Sequence, residues 1–242
     1  MVTQPDAIPN FDLFDTGDIL LFSGNGLFPS ELIEFMTDSD ISHVGMVLRD
    51  PIINGVQRIG LYIFESTAFI DAQNVENGKY TDGVQINELT QVFSTTDGAI
   101  YWRRLRADRN KDFKQVMGDL YKLTYGASYD FDPADWVKAF FDITYGNEEK
   151  ENTFICSALL AFVFDRLGYL RKPVNWTIVR PVDWATVTVQ NDNSSRVHLV
   201  SCELEPAVLV KPNQIKPAPS SGMLDKLYSY VSASYTWMRK LY

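Results

Sequence analysis

The run Ile41-Ser42-His43-Val44-Gly45-Met46-Val47-Leu48 alternates as a strand does, with His43, Gly45 and Val47 on one face and Val44 and Met46 on the other. A histidine on an early apolar strand, with glycine two residues on, leaves room beside the imidazole. Its natural counterpart is Thr153-Phe154-Ile155-Cys156-Ser157-Ala158, which opens the clearest helical segment of the chain, 154–167, closed by Gly168 as a C′ glycine. Cys156 therefore falls in the first turn of a helix expected to begin near Thr153. A thiolate is the reactive form of cysteine, a free thiol titrates at about 8.5, and an imidazolium or the positive end of a helix lowers that value. Its backbone N–H is one of the donors a helix start leaves unpaired, so it could also face a developing oxyanion. Taken singly, Cys156 reads as a small core residue and His43 as a structural histidine; their combination makes them candidates for nucleophile and base.

A base needs a third group to fix its ring. Glu65 ends Leu61-Tyr62-Ile63-Phe64-Glu65, a β-rich run across the 51–55 turn from the His43 strand. In an antiparallel hairpin with that strand it would reach the imidazole. Otherwise it is a carboxylate at a wet rim. Further strands are expected at 19–22, 83–86, 99–103, 197–200 and 207–210, and helices at 30–36, 108–123 and 133–141. Strands, then helices, then strands point to an α+β domain with an antiparallel sheet packed against helices. Residues 1–11 read as an N-terminal arm, 12–210 as the domain, 211–222 as a Pro- and Ser-bearing linker, and 223–242 as an amphipathic helix.

The chain has 242 residues, a formal net charge of -9 and two cysteines. The acidic balance argues against nucleic acid as an unaided partner. The short basic cluster Arg103, Arg104, Arg106 and Arg109 reads as a solvated strand end. Two cysteines are too few for a disulfide scaffold, and the first residues lack a secretory pattern, so a reduced, cytoplasmic setting is expected.

Taken in order, Gly17-Asp18-Ile19-Leu20-Leu21, Ser42-His43-Val44-Gly45-Met46-Val47, Phe64-Glu65-Ser66, Asp82-Gly83-Val84-Gln85-Ile86-Asn87-Glu88-Leu89, Phe154-Ile155-Cys156-Ser157 and Arg180-Pro181-Val182-Asp183 resemble the permuted NlpC/P60 (papain-like) superfamily. The resemblance is nearest to its YiiX/YebB-like branch with poxviral relatives. Lecithin:retinol acyltransferase-like enzymes resemble it more distantly. It spans roughly residues 12 to 210. It implies a circularly permuted papain-like fold, Cys156 as nucleophile, His43 as base, Glu65 as the orienting residue, no metal and no organic cofactor. The activities it implies are hydrolysis of peptide or amide bonds and acyl transfer or hydrolysis on lipids. Ala158 stands where that branch often has an acidic residue, which leaves the substrate class open.

Tyr129 and Ser157 are candidate oxyanion or substrate contacts, and Phe69, Phe140, Phe141 and Phe154 candidate acyl-chain contacts. His198, which also follows Cys156 in the manner of unpermuted relatives, is the competing base and shares a strand face with Cys202. The segment 223–242 would suit a peripheral membrane contact and a lipid substrate, or docking on its own domain or a partner. Two alternatives from other classes remain at this stage: a non-catalytic lipid- or peptide-binding module, and a virion structural protein that keeps the fold.

Overall fold

A computed structural model of the chain describes residues 10–23, 41–67, 72–109, 113–129, 153–186 and 196–213. The expected helices at 30–36 and 133–141, the segment 223–242, nearly all of the arm and most of the linker lie outside them, as do Phe69, Phe140 and Phe141.

Six strands form one sheet. They are β1 (Ile19–Ser23), β2 (Ile41–Arg49), β5 (Leu61–Thr67), β6 (Gly83–Glu88), β7 (Ala99–Arg103) and β12 (Val208–Lys211), in the order β12-β7-β1-β2-β5-β6. Every pairing in it is antiparallel. The hairpin of β2 and β5 has the expected pairing, with Met46 opposite Phe64 and Val47 opposite Ile63. A small hairpin, β3 (Ile52–Ile53) with β4 (Val56–Gln57), decorates its turn. The fold is thus α+β with an antiparallel sheet and helices, as its alternating segments suggest.

Both faces of the sheet are covered, which is why β1 is a continuous apolar run rather than an alternating one. On one face Ile19, Leu21, Val44, Met46, Phe64, Val84 and Ile86 pack with helix α3 (Cys156–Arg166), helix α2 (Phe113–Thr124) and Trp184 of helix α4 (Pro181–Thr186). On the other, Leu20, Phe22, Val47, Ile63 and Ile100 pack under Phe14 and helix α1 (Leu89–Thr95), a helix not anticipated from the sequence. Among the described residues no helix is long and apolar enough to cross a membrane.

Several local expectations change. Thr153 does not open a helix: Thr153–Phe154 is a strand, β10, paired in parallel with β9 (Ser128–Tyr129), and the helix starts at Cys156. β-branched and aromatic side chains fit that short extended piece better than a helical turn. Gly168, at φ +74°, does close α3: its N–H donates to the Asp165 carbonyl at 3.0 Å and the Tyr169 N–H to the Phe164 carbonyl at 2.9 Å. The expected strand 197–200 is reduced to one bridge between Leu170 and Leu199. β8 (Leu105–Arg106) pairs instead with β11 (Glu203–Leu204). Arg103 is not a solvated strand end. It is 3% exposed, and its guanidinium donates to the carbonyls of Trp184 (2.6 Å), Glu205 (2.7 Å) and Leu204 (3.0 Å). Five donors in a rigid fork suit that clasp.

Gly83 joins the sheet to β9. Its φ is +89°, and a Cβ there would lie 2.4 Å from the Ala127 carbonyl oxygen, which accepts the Val84 N–H. Gly83→Ala should therefore cost about 2 kcal/mol or more, read as a lower urea midpoint at unchanged m-value. A midpoint equal to that of the native chain would contradict this packing.

Candidate active site

His43, Glu65 and Cys156 converge from β2, β5 and the first residue of α3. At His43 the β1–β2 ladder is irregular: Phe22 pairs with His43 but Ser23 pairs with Ile41, so Ser42 is the extra residue of a bulge. Bulges re-aim the side chains beside them. The His43 ring lies 5.1 Å from that of Phe22 and only 6% of the residue is exposed. Gly45 supplies the room read from the sequence, and its neighbours take it up: a Cβ there would meet Ile63 Cδ1 at 2.5 Å and Glu65 Cβ at 3.4 Å. Glu65 can thus lean across β2 toward the imidazole.

The His43 Nε2 lies 2.6 Å from Glu65 Oε2, a short contact characteristic of a charge-assisted pair, and Glu65 is 5% exposed. With Nε2 engaged, Nδ1 is the ring nitrogen left for the Cys156 sulfur, whose influence favours the imidazolium. Burial works against charge on this ring. The Cys156 sulfur and the Glu65 carboxylate outweigh it and raise the imidazole from 6.5 to about 10. The helix start is brought here by the residue after Glu65: the Ser66 hydroxyl donates to the Phe154 carbonyl at 2.6 Å, two residues before Cys156. Ile155 is the N-cap and makes no side-chain cap bond, so no side chain at that position competes for the first N–H groups of α3.

The remaining candidates separate. Tyr129 is buried opposite Phe154 in the β9–β10 pair, close in the chain path to Cys156. Ser157 is fully buried, and its hydroxyl donates to the Val179 carbonyl at 2.7 Å, so it braces α3 rather than facing the sulfur. That corrects its reading as a substrate contact, since its hydroxyl is spent inside the fold on the Val179 carbonyl. Phe154 is likewise core, packed on the rings of Phe162 and Trp176 at 5.4 and 5.5 Å. His198 is exposed and its carbonyl accepts the Arg171 N–H at 2.9 Å. Cys202 is pushed up to about 12, by burial first and the Glu203 charge second. Sequence reasoning missed Gln85 and Asn87, buried polar residues of β6 on the Glu65 side of the sheet.

Among the described residues no group of three or more His, Cys, Asp or Glu is arranged to hold a metal ion. No family model matches the chain, and no curated protein matches it. Among solved structures it is similar to the metalloprotein yiiX from Escherichia coli O157:H7, with 23% identity over 64% of this chain and 67% of that one, at a TM-score of 0.42.

Proposed function

We propose that the chain is a papain-like cysteine hydrolase or acyltransferase of permuted order, acting on an amide or ester bond of a lipid or peptide substrate. One observation carries the reading: a buried imidazole held between a carboxylate at 2.6 Å and the sulfur of a cysteine at a helix start. In this reading His43 takes the Cys156 proton and Glu65 holds the ring and balances its charge. The Cys156 thiolate attacks the carbonyl carbon, and the oxyanion leans on the Cys156 N–H, with Tyr129 as a second candidate donor. His43 returns its proton to the leaving group as the acyl-enzyme forms. It then draws a proton from water or an acceptor hydroxyl, which releases the acyl group. A cytoplasmic setting and a peripheral membrane contact through 223–242 belong to the same proposal.

A second reading, a non-catalytic binding module, is favoured by the 2% exposure of Cys156. Mass spectrometry after treatment with an electrophilic acyl probe at pH 7 separates the two. A single adduct on Cys156 is expected, with Cys202 unmodified. An adduct on Cys202 alone, or none, would sink the enzyme reading.

A further inference from the structure

β6 carries two amides whose burial is unexplained by anything they bond. Gln85 is fully buried and Asn87 is 1% exposed, yet among the described residues none of their four side-chain nitrogen and oxygen atoms has a hydrogen-bond partner. Leaving such a group unpaired costs about 1–3 kcal/mol. An apolar residue of the same shape would pack there without that cost. The neighbours differ. Gln85 is directly opposite Glu65 in the β5–β6 ladder, and Asn87 is opposite Ile63. Directly opposed side chains have Cβ atoms about 4.5–5.5 Å apart, within reach of a glutamine that turns about its own side-chain bonds. Glu65 bonds His43 through Oε2; among the described residues Oε1 has no hydrogen bond.

We propose that Gln85 is a positioning residue for Glu65: its carboxamide N–H donates to the Glu65 oxygen left open by His43 and holds the carboxylate against the imidazole. The inference rests on the Cys-His-Glu reading above and adds the residue that fixes its third member. Among the described residues, the charged and titratable groups acting on His43 are Glu65 from β5 and Cys156 from α3, and β1 offers the Phe22 ring. Gln85 is thus the neutral donor set opposite the carboxylate.

The chain has two histidines, so an imidazole NMR titration resolves His43, with exposed His198 as internal reference. Gln85→Met is expected to lower the His43 midpoint by about one unit, a tenfold change that matches one lost bond to a charged group. Gln85→Asn keeps an amide but withdraws it from Glu65, and should lower the midpoint likewise, which covers the case in which Gln85→Met fails to fold. Asn87→Leu should leave the midpoint where it is. An unchanged midpoint in both Gln85 variants, with Glu65→Gln shifting it, overturns this inference alone. An unchanged midpoint in Glu65→Gln as well overturns the Cys-His-Glu reading itself.

Discussion

Replacing His43 with glutamine should reduce acyl-probe labelling of Cys156 at pH 7 by about 10²–10⁴-fold, the span expected when a positioned acid–base group is removed. Glutamine keeps a donor that can reach Glu65 but carries no titrating nitrogen, so the carboxylate stays partnered while proton transfer is lost. His43→Ala tests the other half of the contact. It should cut labelling as deeply and also destabilise the fold by about 3–5 kcal/mol, because Glu65, at 5% exposure, is left charged without its histidine partner. His198→Ala, at an exposed position, should change neither quantity. The comparison of the two histidines also decides the order of the chain's chemistry: the base precedes the nucleophile only if His43 is the sensitive one. Labelling retained in His43→Gln and lost in His198→Ala would overturn the assignment.

The candidate site was largely legible because each member announces itself by a different physical signal. Cys156 is marked by the change from β-rich Thr153-Phe154 to a helical run, although the sequence places the helix start two residues early. That error matters chemically, since a cysteine at the first helical position lies nearer the positive end of the dipole than one at the third. His43 is marked by alternation and by Gly45, and the structure converts the vacancy at Gly45 into the path by which Glu65 crosses β2. What failed has one cause. The run Arg103 to Arg109 reads as a solvated strand end, and Gln85 and Asn87 carry no signal of their own in or beside the strand expected at 83–86. A sheet covered on both sides buries Gln85, Asn87 and Arg103 alike. Local pattern reports the period of a strand; it does not report whether a second layer covers the polar face. Ser157 failed for the same reason, its hydroxyl being used by the Val179 carbonyl, 22 residues away in the chain.

Replacing Glu65 with leucine should produce a stability loss that depends on pH in a direction fixed by His43. The folded-state imidazole is raised to about 10 from 6.5. Between those values the folded chain binds more protons at this group than the unfolded chain, so its contribution to stability is fully present below pH 6.5 and declines as pH rises toward 10. Glu65 sustains part of that affinity through its hydrogen bond and its charge, against the burial that opposes it. With leucine in its place the buried imidazolium keeps only the sulfur as partner. At pH 6 the variant should therefore unfold about 3–5 kcal/mol more easily than the native chain. At pH 10 the native chain has itself lost much of the pair, and the gap should narrow. Lysines, tyrosines and Cys202 titrate in both chains and cancel in the difference. Urea midpoints of the two chains at pH 6 and pH 10 measure it directly. A gap that is as wide at pH 10 as at pH 6 would mean that Glu65 serves packing and not the charge on His43, and the carboxylate would lose its place in the proposed chemistry.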